Sequence, residues 1–255
     1  MQLTDTHTHI YYHVNSPELG MQMDRCFENH VERLFLPNVD SDSIEKVMRT
    51  VSAYPNHCYA MLGLHPCSVK EDYQEELAKI ERSLDEHEIY AIGEIGLDLY
   101  WDKTKLKEQI EVFKIQVAWA KERNLPIVIH CRDAFDELFS VLTELKDDKL
   151  RGIFHCFTGT YDQALRAIDY GFYLGIGGVV TFKNAGLDKV VQEISLEHIV
   201  LETDSPYLAP VPFRGKENES SYLYHIAEKV ADLHQRAIEE VAAITTQNSK
   251  NIFGV

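Results

Sequence analysis

The sequence predicts an α/β protein folded as a single-domain (β/α)8 TIM barrel over residues 1–255. Its length is typical of one eightfold barrel. Short apolar segments alternate with longer amphipathic segments along the chain, and no linker rich in Pro, Gly or Ser divides it. Strand–helix alternation indicates a parallel sheet, and eight such units favour a closed barrel over an open, doubly wound sheet.

Eight short apolar segments are the candidate strands. They cover residues 2–7, 33–36, 59–63, 90–94, 127–130, 152–155, 172–176 and 199–202. Most are followed by a helical pattern, and the clearest helices are predicted at 41–52, 73–87, 105–123, 134–145 and 162–170. Two segments depart from the repeat, namely a long Pro-containing loop at 204–220 and two further helical stretches within 222–251.

Charge and composition restrict the partners. The formal net charge of −16 argues against a broad basic face, so any nucleic acid would be held locally by metals and a few basic residues. No apolar run is long enough to span a bilayer, and the N-terminal residues do not resemble a secretion signal. Five cysteines without CxxC spacing favour reduced thiols in a cytoplasmic protein, and a monomer is compatible with the sequence.

Histidines and carboxylates stand at the predicted C-terminal ends of the strands, where barrel enzymes build their active sites. The HxH motif at residues 7–9 places two imidazoles on one side of a strand, and two later strands each end in histidine. Glu94 lies among apolar residues and glycines, so its burial requires a compensating partner. The candidate metal ligands are His7, His9, Glu94, His130, His155 and Asp204.

These ligands divide into two sites that share Glu94. His7, His9, Glu94 and Asp204 would hold one divalent ion, and Glu94, His130 and His155 the other. The ligand types do not choose among Zn, Mn, Ni and Mg. The alternative for each histidine is a hydrogen-bonded core residue, and the alternative for Asp204 is an N-cap of the following loop.

Eight stretches of this sequence resemble the TatD family of metal-dependent deoxyribonucleases, within the amidohydrolase superfamily. They read DTHTH (5–9), GLHP (63–66), GEIGLD (93–98), VIHCRDA (128–134), HCFTG (155–159), IGGVVTFKN (176–184), LETDSPYLAP (201–210) and PFRGKENE (212–219). The resemblance implies the same six ligands, and it implies that His65 faces the site and meets the substrate phosphate or the leaving group. Thr8, the segment 10–15 and Ser220 depart from the family pattern.

The first functional hypothesis is hydrolysis of DNA phosphodiester bonds, and the resemblance implies a 3′-to-5′ exonuclease. A hydroxide between two divalent metals would attack phosphorus with Asp204 as general base, while Glu94 and His65 complete the catalytic set. Arg132, Arg214 and Lys216 are the candidate phosphate contacts. The alternatives are another hydrolase on the same site, acting on a small phosphodiester, an amide or lactone, or an aminoacyl-tRNA, and a non-catalytic barrel used for binding.

Overall fold

The computed structural model describes residues 1–255 and contains eight parallel strands that pair in chain order. The strands are β1 (Leu3–Asp5), β2 (Val31–Pro37), β3 (Cys58–Leu62), β4 (Ala91–Asp98), β5 (Ile127–Arg132), β6 (Gly152–Phe154), β7 (Phe172–Ile176) and β8 (Ile199–Leu201). The gap between β1 and β8 is closed by backbone hydrogen bonds from Thr6 to Leu201 (3.0 Å) and from Asp204 to His7 (2.9 Å). The predicted eight-stranded barrel is therefore confirmed.

Nine α-helices follow or close the strand units. They are α1 (Glu18–Glu28), α2 (Ile44–Ala53), α3 (Tyr73–Glu86), α4 (Leu106–Arg123), α5 (Phe135–Leu145), α6 (Tyr161–Asp169), α7 (Leu187–Glu193), α8 (Leu223–His234) and α9 (Ile238–Phe253). The five helices predicted individually correspond to α2–α6, and the C-terminal stretch holds α8 and α9. None of these helices is both long enough and apolar enough to cross a bilayer.

Strand β4 extends four residues beyond its predicted end because it keeps pairing with β5 as far as Asp98 and Arg132. The register of this pair shifts between Gly93 and Ile95, which leaves Glu94 outside the regular ladder. Irregularities of this kind can redirect a side chain close to an active site. The result is that β4 carries two buried carboxylates, Glu94 and Asp98, rather than one.

The barrel interior is a packed apolar core that is separate from the larger core beneath the helices. Six strands each contribute one side chain, and the last turn of α9 adds two more: Phe35, Met61, Ala91, Val128, Ile153, Val200, Ile252 and Phe253. The rings of Phe35 and Phe253 stack with centroids 3.8 Å apart. The barrel is thus filled and closed by α9 at one end, and its polar site occupies the C-terminal ends of the strands.

Gly152, at the start of β6, should not tolerate a side chain. It has φ of +155°, and an added Cβ would lie 1.8 Å from the Ile127 carbonyl oxygen. We expect Gly152→Ala to lower the free energy of unfolding by about 3 kcal/mol or more, measured by urea denaturation. Gly186→Ala is the control, because that position has φ of +74° but open space around it, and it should lose only about 1 kcal/mol. Equal losses would contradict the steric argument.

Candidate metal centre

The structure brings all six predicted ligands together at the C-terminal mouth of the barrel. On one side of the cluster, His7 Nε2 lies 3.2 Å from Glu94 Oε2 and 3.8 Å from Asp204 Oδ1. His9 Nε2 lies 3.6 Å from the same Asp204 oxygen and 3.9 Å from Glu94 Oε2. The HxH pair therefore meets both carboxylates.

The other oxygen of Glu94 is surrounded by three imidazoles. Glu94 Oε1 lies 2.8 Å from His130 Nδ1, 3.0 Å from His155 Nε2 and 3.2 Å from His65 Nε2. His65 thus faces the site. Glu94 stands between two groups of nitrogen donors, one at each of its oxygens, which is the arrangement expected of a bridging carboxylate.

His155 lies at the boundary between the two groups. Its ring stacks on that of His7 with centroids 3.7 Å apart, and ligand atoms of His7, His155 and Asp204 lie within 4.8 Å of one another. The same 4.8 Å spacing groups His65 and His130 with Glu94. His155 can therefore reach either side of Glu94, whereas the sequence-based division assigned it only to the site with His130.

The donor set fits divalent cations. Both ring nitrogens of His7 are buried and have no hydrogen-bond partner, which is costly unless another ligand satisfies them. The separations of Glu94 Oε1 from His130 Nδ1 (2.8 Å) and from His155 Nε2 (3.0 Å) are also informative. They are close to the spacing of about 2.9–3.4 Å expected for two ligand atoms bound to one ion at about 2.0–2.1 Å.

Electrostatics keep the carboxylates ionised. Burial opposes ionisation of Glu94, but His65, His155 and His7 together hold its pKa well below the usual value. Burial also opposes ionisation of Asp204, whose pKa is nevertheless lowered by its contact with His9 and by the other histidines. Burial lowers the pKa of His7, so this ring is neutral and has a lone pair available for a metal.

Metal uptake should release protons. Burial opposes the charged form of His155, but Glu94 and Glu202 hold its pKa well above the usual value, so a cation must displace a proton from this ring. Apparent metal affinity should therefore fall by about tenfold per pH unit for each displaced proton, from about pH 8 to about pH 6. Calorimetric titrations in buffers of different ionisation enthalpy would count the protons, and a pH-independent affinity would contradict the prediction.

Two carboxylates behind the cluster were not recognised from the sequence as site residues. Asp98 Oδ2 lies 2.9 Å from His130 Nε2, and Glu202 Oε1 lies 3.1 Å from His155 Nδ1. Asp98 stands four residues after Glu94 in β4, and Glu202 stands two residues before Asp204. A carboxylate at an even spacing from a predicted ligand near a strand end is the signal that could have found them.

The segment that carries Asp204 is anchored to β1 through Asp5. Asp5 is buried and accepts hydrogen bonds from the backbone N–H of Thr203 (2.9 Å) and from its hydroxyl (2.6 Å). Burial raises the pKa of Asp5 to about 7. Asn218 donates to the carbonyl oxygens of Thr203 (2.8 Å) and Tyr207 (2.6 Å), which holds the final loop against the same segment.

Two of the departures from the family pattern meet each other in the structure. The Ser220 hydroxyl donates to Thr8 Oγ1 at 2.9 Å, and Thr8 Oγ1 is 2.7 Å from the Ser205 hydroxyl. All three hydroxyls are buried. Since its hydroxyl is engaged with two serines, Thr8 ties the final loop to the barrel.

The third departure, residues 10–15, forms a wall of the cleft beside His9. Residues Ile10–His13 form a short 3-10 helix. The Tyr11 hydroxyl is 3.0 Å from His9 Nδ1, and the exposed ring of Tyr12 stacks on His9 with centroids 5.6 Å apart.

The three basic candidates carry charges that no carboxylate in the structure neutralises. Arg132, at the end of β5, stacks on the Tyr100 ring at 3.7 Å. Arg214 and Lys216 lie on the loop between β8 and α8, where Arg214 stacks on Phe182 at 3.7 Å. All three are exposed. Arg132 is the best placed for a ligand of the cluster, because it is two residues beyond His130.

The chain is similar to known proteins over its whole length. The family model described as TatD related DNase matches residues 4–254. A metal-dependent hydrolase of Bacillus subtilis, YabD, is 41% identical over 99% of both chains. A protein of Salmonella typhimurium described as the 3′-5′ ssDNA/RNA exonuclease TatD is 32% identical over 91% of both chains.

The fold agrees with these matches. The crystal structure of YjjV, a TatD homologue from Escherichia coli, superposes with a TM-score of 0.93, covers 99% of this chain and 98% of its own, and is 26% identical. The family match, the relatives and the histidine–carboxylate clusters together indicate an enzyme that depends on divalent metal. This chain belongs to the TatD family of metal-dependent hydrolases.

Proposed function

We propose that this enzyme hydrolyses phosphodiester bonds of DNA and removes nucleotides from the 3′ end. The observation that supports the proposal most directly is the position of Glu94 between two groups of imidazoles, with the unpaired charge of Arg132 two residues beyond His130 at the end of β5. The relative described as a 3′-5′ ssDNA/RNA exonuclease supports the substrate class. We include a cytoplasmic location in the proposal, because all five cysteines are free thiols.

The proposed ligands would hold two divalent ions among Zn, Mn, Ni and Mg. His7, His9, Glu94 and Asp204 would bind one ion, and Glu94, His130 and His155 the other. When bound, the two ions would activate a water molecule and offset the negative charge of the phosphoryl oxygens. Proton transfer and binding of the phosphate are assigned to side chains of the protein.

Asp204 is the proposed general base. Its ionised carboxylate is partly open to the cleft, with 14% of the side chain exposed, and its Oδ1 faces His7 and His9. It can therefore both contribute to the cluster and accept a proton from the attacking water.

His65 is proposed to donate a hydrogen bond to the substrate phosphate or to the leaving oxygen. Its Nδ1 accepts the backbone N–H of Cys67 at 3.0 Å, so a neutral His65 ring carries its proton on Nε2. That Nε2 points towards Glu94 and the cleft. The ring is therefore arranged as a donor.

Arg132 is the proposed phosphate contact closest to the cluster. We expect Arg132→Met to raise the KM for DNA by about tenfold or more, because it removes a charge-assisted hydrogen bond of about 1.5–3 kcal/mol. An uncharged ester substrate should be affected little. Arg166→Met is the matched control, because Arg166 is also exposed and stacks on an aromatic ring, Phe139 at 4.4 Å, but belongs to helix α6. Equal effects of the two substitutions on DNA would contradict the assignment.

A substrate panel tests the proposed function. Single- and double-stranded DNA labelled at either end, RNA, a nitrophenyl phosphodiester, a carboxylic ester and a lactone would be incubated with Mn, Mg, Zn or Ni. We expect metal-dependent shortening of DNA from the 3′ end, and none with Glu94→Gln. Hydrolysis of the ester or lactone without cleavage of any phosphodiester would overturn the proposal in favour of a different hydrolase.

A further inference from the structure

We propose that Asp98 is a positioning residue that selects Nδ1 of His130 as its metal-binding atom; this inference rests on the metal centre proposed above. Asp98 is only 2% exposed, and its Oδ2 lies 2.9 Å from His130 Nε2. The carboxylate does not belong to the two ligand groups around Glu94. Its contact is with the far side of one ligand ring.

The Asp98 side chain is held in one orientation by the backbone that follows it. Its Oδ1 accepts the N–H groups of Tyr100 at 2.9 Å and Trp101 at 3.3 Å. Its own backbone is paired with buried Gln109 of α4, whose side chain accepts the Asp98 N–H at 2.9 Å and donates to the Asp98 carbonyl at 3.1 Å. Only Oδ2 is left to meet His130.

This contact favours the tautomer of His130 that a metal requires. His130 lies between two carboxylates, with Nδ1 2.8 Å from Glu94 Oε1 and Nε2 2.9 Å from Asp98 Oδ2. A cation at Nδ1 needs the lone pair of that atom, so the single proton of the neutral ring must then be on Nε2. An ionised carboxylate can only accept hydrogen bonds, so Asp98 stabilises the ring in this form.

In the neighbouring histidines, too, the hydrogen-bond partner of one ring nitrogen decides whether the other nitrogen offers a lone pair or an N–H to Glu94. Glu202 accepts from His155 Nδ1 at 3.1 Å, so when the ring is neutral its lone pair is on Nε2, 3.0 Å from Glu94 Oε1. His65 has the opposite arrangement, because its Nδ1 accepts a backbone N–H and its Nε2 carries the proton. Of the three imidazoles around Glu94 Oε1, those of His130 and His155 can present a lone pair, and that of His65 presents an N–H.

The substitution Asp98→Asn should favour the other His130 tautomer, with the proton on Nδ1, while keeping the shape of the side chain. The N–H groups of Tyr100 and Trp101 need an acceptor, so the amide oxygen takes the place of Oδ1. The amide NH₂ then faces His130 Nε2, which must accept. The proton of His130 moves to Nδ1, where it blocks binding of a cation.

The experiment combines metal titration with imidazole NMR. We expect metal-free wild-type protein to bind two equivalents of Zn²⁺ in calorimetric competition with a chelator. Asp98→Asn should weaken one equivalent by about 10- to 100-fold and leave the other unchanged. In long-range ¹H–¹⁵N spectra, the His130 proton should lie on Nε2 in the Zn²⁺-loaded wild type, and on Nδ1 in the metal-free variant at alkaline pH, where the ring is neutral.

Two control variants distinguish an effect on the His130 tautomer from the effects of a lost charge or of altered packing. Asp102→Asn removes the same charge from the adjacent loop, where the Asp102 side chain contacts Thr104, and it should leave both equivalents unchanged. Glu202→Gln should leave the His155 tautomer unchanged, because Glu202 Oε1 accepts both His155 and the Cys156 N–H (2.6 Å) and the amide oxygen can take that place.

The outcomes separate this inference from the proposed nuclease activity. Metal affinity and tautomer are measured without substrate, so an enzyme that fails to cleave DNA but shows the Asp98→Asn effects disproves only the proposed substrate. Unchanged affinity for both equivalents in Asp98→Asn would overturn the positioning role. A Zn²⁺-loaded wild-type protein in which Nδ1 of His130 carries the proton would overturn it as well, even if the variant does not fold.

Discussion

Glu94→Gln should remove divalent metal from the protein and with it almost all of the hydrolytic activity. One oxygen of Glu94 meets three imidazoles and the other meets His7, so the carboxylate is common to both groups. A glutamine side chain has a single oxygen. One of the two groups would therefore face an amide NH₂, which does not bind a cation. We expect kcat/KM to fall by about 10³-fold or more, equivalent to about 4 kcal/mol of transition-state stabilisation.

The measurement is metal content by elemental analysis, together with steady-state kinetics at increasing metal concentration. Glu88→Gln is the control, since Glu88 is exposed just before the other end of β4 and its loss removes the same charge. A Glu94→Gln protein that keeps two bound ions, or that retains more than about a tenth of the wild-type rate, would be incompatible with a bridging carboxylate. A biological effect that survives loss of metal would favour a non-catalytic barrel.

The barrel and the convergence of the site residues were predictable because both depend on local periodicity. A strand has period two, so a histidine at the end of each apolar run, such as His130 and His155, points to the same mouth of a closed barrel. Helix α7 was not singled out, because its seven residues are too few to establish an amphipathic repeat.

The hydrogen-bond partners of the cluster were not predictable, because they depend on register between distant strands. The role of Asp98 requires β4 to continue alongside β5 and the ladder to shift near Glu94. Similarly, Thr8 and Ser220 are 212 residues apart in the chain, and only the folded structure shows that these two departures from the family pattern contact each other. Apolar periodicity carries no information about either arrangement.

Asp204→Asn should separate the two roles proposed for Asp204. Its backbone N–H donates to the His7 carbonyl, and its φ of +54° is one that asparagine adopts readily, so the variant should keep the same backbone. The amide oxygen can still face a cation, but the side chain no longer accepts a proton. We expect kcat to fall by about 10²- to 10⁴-fold, with KM changed little and metal content retained.

The pH–rate profile distinguishes loss of a base from loss of a ligand. Without its base, the variant must use solvent hydroxide, so its residual rate should rise with pH beyond the point at which the wild-type rate becomes constant. Asp133→Asn is the matched control, because Asp133 has the same φ of +54° just after β5 but is exposed. If Asp204→Asn instead loses metal, and saturating metal restores the wild-type rate and profile, then Asp204 is a ligand only, and proton removal must be assigned to another group in the cleft.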